Sequence, residues 1–147
     1  HGNSVSPMAL SYFKFLYSLS DYVLGYIFKE VFVLKTKSSL IVYDRYYYDY
    51  FIDQRRFGLS IHPLLVRLCE TFVKKPDVVI CLGGDAEVIY NRKKELSLQE
   101  TNRQCELLRQ LSDTRVHFHW VDSTRTVEDT LTEVHKCLFD GFVHIKR

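Results

Sequence analysis

Between Leu40 and Gly58 the sequence reads LIVYDRYYYDYFIDQRRFG: an apolar run stops at Asp44-Arg45, four tyrosines fall within Tyr46 to Tyr50, and Arg55-Arg56 follow. A carboxylate beside a guanidinium at the end of an apolar run suits a phosphate ligand. The arginine forks onto phosphate oxygens, and the aspartate reaches a metal-bound water or an acceptor hydroxyl. An ion pair that only staples a loop is the alternative, because exposed pairs are common and often inert. Phenols add flat faces for a planar base and hydroxyls for phosphate or ribose oxygens, so Tyr46 and Tyr48 are candidates to line an acceptor pocket, the other tyrosines serving as core. Two further apolar runs end in similar chemistry, at Gly83-Gly84-Asp85 and at Asp122-Ser123-Thr124. The cluster Arg92-Lys93-Lys94, with Arg103, adds positive charge after the second run, and a solvated helix face accounts for it equally well by composition.

The elements that must position these residues alternate. Tyr12, Leu16, Leu19, Val23, Ile27 and Val31 recur at helical steps, predicting one long amphipathic helix over 8–35 with a broad buried face, ended by the polar stretch Lys35 to Ser39. Leu40 to Tyr43 reads as a parallel strand covered on both faces and stops at Asp44. A helix opens at Pro63 and finishes at Lys74-Lys75-Pro76, a second strand covers 77–82, and Asp85 stands where the cap of the next helix belongs. A charged helix from Ser97 to about Leu111 follows, within a segment 91–111 that has little apolar stripe and is expected to be mobile, with Lys93 and Lys94 exposed. A third strand at 116–121 and a last amphipathic helix complete 116–140. The rhythm predicts an α/β fold, a parallel sheet of three strands with flanking helices, in which ligands sit beyond the carboxyl ends of the strands.

Composition bounds the rest. At 147 residues and 46% hydrophobic content the chain suits a single domain, 1–147, and a net charge of +2 carries no nucleic-acid footprint. Cys69, Cys81, Cys105 and Cys137 are far apart with no Cys-x-x-Cys pair, which points to reduced thiols and a cytoplasmic protein. The apolar stretch Tyr22 to Leu34 is broken by Lys29-Glu30 and falls short of the roughly 18 residues a membrane span needs, so no membrane partner is expected. His117 and His119 share a strand face, acceptable for two metal ligands, but no cysteine or carboxylate at ligand spacing completes a zinc site. The opening HGNSVSPMAL lacks an initiator methionine and predicts a piece of a longer reading frame.

Four stretches, taken in order, carry a resemblance: Asp44 to Asp49 (DRYYYD), Ile52 to Gly58 (IDQRRFG), Pro76 to Leu82 (PDVVICL) and Arg92 to Ser97 (RKKELS). With Ala86 to Arg92 (AEVIYNR) and Glu100 to Arg103 (ETNR), this order resembles the thymidylate kinase family over the stretch from about Leu40 to the C-terminus. Each motif alone is weak, and their order gives them weight. The resemblance implies a P-loop NTPase fold and a phosphotransferase that moves the γ-phosphoryl of ATP, with Mg²⁺, to a nucleoside monophosphate or related phosphorylated acceptor. It implies Asp44 near Mg²⁺ and the acceptor phosphate, Arg45 holding that phosphate with Arg55 and Arg56 in the acceptor loop of 40–58, Arg92 and Arg103 in the lid, and Ser123 and Thr124 against the adenine. Pairing of two copies is a further expectation.

The sequence departs from the family pattern in Leu82-Gly83 where Leu-Asp is usual, in Asn102-Arg103 where Asp-Arg is frequent, and in lacking the thymine-reading glutamine motif, which leaves the acceptor open. No Gly-x-x-x-x-Gly-Lys-Ser/Thr occurs in the 147 residues, so the phosphate cradle is not in this sequence and the chain alone is expected to be inactive. A non-catalytic nucleotide-fold binding module, or a structural domain, is the alternative function.

Overall fold

The computed structural model of the chain describes residues 7–28 and 40–145, the last four of these as backbone only. Among them run α1 Met8–Gly25, α2 Asp49–Ile52, a 3₁₀ turn Gln54–Phe57, α3 Pro63–Glu70, β1 Val79–Gly83, α4 Ala86–Arg92, α5 Leu98–Thr114, β2 Phe118–Asp122 and α6 Val127–Ile145. The protein is mixed α/β, with a two-stranded parallel sheet and flanking helices. Two compact units divide between Lys75 and Pro76.

In the first unit an aromatic core does the work of a sheet. Phe15 of α1 is fully buried and meets Tyr50 edge-on at 5.3 Å between ring centroids, and Tyr47, Leu59, Ile61, Val66, Cys69 and Val73 complete the cluster. Three of the phenols find an oxygen. Tyr47 donates to the Val66 carbonyl at 2.7 Å, Tyr46 to the Lys74 carbonyl at 2.5 Å, and Tyr50 shares a hydrogen bond with Ser18 Oγ at 2.5 Å. Bonds of this kind contribute about 1 kcal/mol each, and an aromatic body with a satisfied polar tip can therefore sit inside without penalty.

α1 departs from its expected pattern in one respect. Its inward face is Ser11, Phe15, Leu19 and Tyr22, so Leu16 and Ile27, placed by periodicity in the buried stripe, are 55% and 40% exposed. The helix is apolar on most sides, and the side that meets Tyr47 and Tyr50 is the one that packs. The α-helix ends at Gly25 and continues as a wider turn through Phe28; the remainder of the expected 8–35 span, with Val31 and the stop at Lys35 to Ser39, lies outside the described residues.

The expected strand at 40–44 is absent from the described residues: Leu40 to Tyr43 is extended coil and the chain bends at Asp44-Arg45. Leu40 and Val42 are 62% and 81% exposed. An apolar run becomes a strand only when a neighbouring strand takes its N–H and C=O groups, and no such ladder reaches these residues.

Burial pushes the Tyr22 phenol up to about 12, and raises Tyr47 and Tyr50 as well. A phenol whose folded pKa is raised holds its proton more tightly folded than unfolded, so its contribution is fully present below about pH 10 and is lost as pH rises through the folded value. Alkaline unfolding is therefore expected above pH 10, followed by tyrosinate absorbance, and Tyr22→Phe should move its midpoint upward. A midpoint unchanged by that substitution would count against this account of the core.

In the second unit β1 and β2 pair from Val79↔Phe118 to Gly83↔Asp122, one or two residues later than the expected 77–82 and 116–121. Both strands run the same way, as the alternation of strand and helix requires. The segment foreseen as a mobile lid over 91–111 is mostly α5, which packs on β1, β2 and α4. Its inward side carries Thr101, Gln104, Cys105, Leu108 and Leu111 at helical spacing, a stripe whose polar members hide it from hydropathy. Lys93 and Lys94 are exposed, as expected, in the turn between α4 and α5.

Gly83 answers one departure in the motif. A Cβ there would stand 2.1 Å from Trp120 Cη2 and 2.6 Å from Cζ3, so the indole lies directly over the glycine, with the Arg109 guanidinium 5.1 Å from its ring centre. Gly83→Ala is expected to lower stability by about 1–3 kcal/mol, because a rigid ring must move. A thermal midpoint equal to wild type would show that the indole has room to shift.

Candidate functional site

Beyond the carboxyl ends of β1 and β2 the backbone closes on itself. The Gly83 carbonyl accepts from Ser123 N at 2.7 Å and from Ser123 Oγ at 2.9 Å. Asp122 Oδ1 accepts from Thr124 N at 2.9 Å and from Thr124 Oγ1 at 2.6 Å, and these bonds, with Arg125 nearby, hold the Asp122 carboxyl below the usual carboxylate range. Gly84 makes the closure feasible. Its φ is 150°, and a Cβ would stand 2.4 Å from Thr124 Cγ2 and 2.6 Å from Asp122 Oδ1. Its N–H reaches the Cys105 thiol on α5, a weak opposing influence on a thiol that burial pushes up.

Arg92 completes this cluster. Placed in the last turn of α4 by the Asp85 cap, which accepts from Glu87 N at 2.8 Å and Val88 N at 3.2 Å, it sends Nη1 to the Ser123 carbonyl at 2.6 Å and Nη2 to the Thr124 carbonyl at 2.9 Å. A planar fork matched to two successive carbonyls fixes the loop and sets a positive charge beside it. Arg92, Ser123 and Thr124 are thus one assembly. Arg103 forks onto Glu100 of its own helix, a pairing that its sequence motif did not signal.

In the first unit the chemistry gathers around Asp44-Arg45. Arg45 has φ of 81°, the one positive value among the described non-glycine residues. A side chain in this region costs on the order of 1–3 kcal/mol and persists where surroundings hold it, a pattern concentrated at binding and catalytic sites. Four residues on, Asp49 opens α2 half-buried. Burial raises its carboxyl, Arg45 and Arg56 oppose that rise, and Asp53 and Asp44 add to it. Five charged groups therefore share one electrostatic neighbourhood. Asp53 also accepts from Arg56 N at 3.1 Å, which caps the 3₁₀ turn bearing the exposed Arg55 and Arg56.

Asp49 was not foreseen as a site residue, although it ends the DRYYYD motif; its spacing from Arg45 was the available signal. Of the tyrosines put forward for an acceptor pocket, Tyr48 is 6% exposed and Tyr46 binds Lys74 while its ring packs on Tyr22 at 5.4 Å, so both contribute to packing. Asp44 is an exposed carboxylate. Among the described residues no three His, Cys, Asp or Glu side chains converge in a group able to hold a metal, His117 and His119 included. No described helix is long and apolar enough to cross a membrane, and all four cysteines are free thiols.

No family model matches the chain, and neither a curated protein nor a solved structure is significantly similar to it. The likeness to thymidylate kinases rests on the motifs alone.

Proposed function

We propose that the chain belongs to an ATP-dependent phosphotransferase of the thymidylate kinase type, with a P-loop NTPase fold, that transfers the γ-phosphoryl of ATP to a nucleoside monophosphate or related acceptor. The observation that carries the reading is the fork of Arg92 onto the carbonyls of Ser123 and Thr124. Three residues that the motifs assign to the nucleotide meet at the carboxyl ends of parallel strands, where α/β sheets bind ligands.

In this reading Ser123, Thr124 and Arg92 hold the nucleotide in register, Arg45 grips the acceptor phosphate, and Arg55 and Arg56 neutralise its charge. Asp44 orients the acceptor oxygen or a metal-bound water. Bound ATP with Mg²⁺ supplies the transferable group and most of the charge compensation. Asp44 would offer Mg²⁺ a single carboxylate, the rest of its shell being water and phosphate oxygens. The phosphate cradle is not in these 147 residues, so the reaction is assigned to a full-length protein that carries one. Positioning and charge are most of catalysis in phosphoryl transfer, which makes arginines and one acid sufficient on the acceptor side. A cytoplasmic setting accords with the free thiols.

The test is a coupled turnover assay on the full-length protein with a panel of nucleoside monophosphates. ATP consumption that depends on an acceptor supports the reading. Absence of turnover with every acceptor, alongside measurable nucleotide binding, would instead favour a binding module.

A further inference from the structure

Asp49 is a half-buried carboxylate that the fold does not use. It opens α2 between the buried Tyr48 and Tyr50, with its N–H bound to the Tyr46 carbonyl at 3.0 Å. Among the described residues no donor is hydrogen-bonded to its side chain and no cation forms an ion pair with it. Capping does not account for it, since no side-chain bond closes the first turn of α2, whereas Asp53 accepts from Arg56 N at 3.1 Å and Asp85 caps α4. An interior acceptor left unmet is costly. Arg45 and Arg56 lie in its electrostatic neighbourhood and favour the ionised form, which has two oxygens that accept and nothing to donate.

The strained bend is the second observation. Arg45, at φ of 81°, stands four residues before Asp49, so the guanidinium assigned to the acceptor phosphate and the unmet carboxylate belong to one turn. In a nucleoside monophosphate the donors nearest the phosphate are the ribose hydroxyls, while the edge of the base lies across the sugar. A carboxylate suits a ribose hydroxyl, and its two oxygens match a vicinal pair. We propose that Asp49 selects the acceptor: its carboxylate takes hydrogen bonds from the ribose hydroxyls, so that ribonucleoside monophosphates are preferred over their 2′-deoxy counterparts. The inference rests on the phosphotransferase reading for the place of the phosphate at Arg45, and it names the sugar of that acceptor. Arg45 and Arg56 offset the repulsion between the phosphate and Asp49. A 2′-deoxy acceptor leaves one carboxylate oxygen unmet, and the site discriminates by that loss.

Calorimetric titration of the full-length protein with cytidine and deoxycytidine monophosphate, and with uridine and deoxyuridine monophosphate, is expected to show each ribonucleotide bound at least about tenfold more tightly than its partner. Asp49→Ala should level both pairs, mainly by weakening the ribonucleotide. Asp49→Asn loses no structural bond and should melt at or above the wild-type temperature. Equal affinities within each wild-type pair, or a ribose preference that survives Asp49→Ala, overturns the proposal. So does an Asp49→Asn protein that melts well below wild type, which would make the carboxylate structural. A preference for cytosine over uracil that Asp49→Ala removes, with no ribose preference, would assign the carboxylate to the base and overturn the proposal likewise. The titrations contain no ATP. A ribose preference without turnover therefore fails the phosphotransferase reading alone, and turnover without a ribose preference fails this inference alone.

Discussion

Arg45→Ala is expected to raise the acceptor KM and lower kcat, together costing on the order of 2–4 kcal/mol of transition-state stabilisation, and Asp44→Asn is expected to cut kcat more than it weakens acceptor binding. The asymmetry follows from the roles. A guanidinium gripping a phosphate contributes in the ground state and in the transition state alike, whereas a carboxylate that organises an attacking oxygen acts mainly as charge moves. The strained backbone at Arg45 sharpens the expectation. A residue kept at φ of 81° is aimed by its surroundings, so an alanine removes the guanidinium while relieving none of the backbone strain. Tyr47→Phe serves as the contrast: it removes the hydrogen bond to Val66, should cost about 1 kcal/mol of stability, and should leave kcat/KM nearly unchanged. Steady-state kinetics of these variants in the full-length protein, with thermal melts as a check on folding, decide the matter. Wild-type kcat/KM in both Asp44→Asn and Arg45→Ala would remove this bend from the catalytic centre.

Gly84→Ala is expected to cost about 2–5 kcal/mol of stability and to release the 122–124 loop. Two penalties combine there. A side chain at φ of 150° is disfavoured by backbone sterics, and the added methyl would collide with Thr124 Cγ2 and the Asp122 carboxylate at 2.4 and 2.6 Å. Relief requires the loop to move outward, away from the Gly83 carbonyl and from the Arg92 fork that fasten it. The expected signature is a lowered thermal midpoint together with faster amide exchange at Ser123 and Thr124. Unchanged exchange at those two amides, in a protein that melts at the wild-type temperature, would show that the closure is looser than its distances imply.

What could be read in advance divides along physical lines. The strands at Val79–Gly83 and Phe118–Asp122 were legible because buried parallel strands are largely apolar runs that stop at polar or glycine residues. The cap at Asp85 and the start of α5 at Ser97, whose hydroxyl accepts from Glu100 N at 3.2 Å, were legible because capping is a local affair of three or four residues. Leu40 to Tyr43 has the same apolar look and is no strand, since a strand is defined by a partner that local sequence does not name. The covering face of α5 escaped notice because Thr101 and Gln104 belong to it. Within the site, Arg92, Ser123 and Thr124 could be nominated one by one, but their union spans 31 residues and ends on backbone carbonyls, which carry no side-chain signature. Asp49 was hidden for a different reason: its place among five charged groups depends on the turn that folds it back toward Arg45.

The most direct measurement is the affinity of the full-length protein for a nucleoside monophosphate, followed by calorimetry and by the phosphorus chemical shift of the bound ligand, in wild type and in Arg45→Ala. The account predicts saturable binding with a shifted phosphorus resonance in wild type, and at least about tenfold weaker binding with the shift abolished in the variant, as expected for loss of a charged phosphate contact. Equal affinity and an equal shift in a folded Arg45→Ala protein would contradict it.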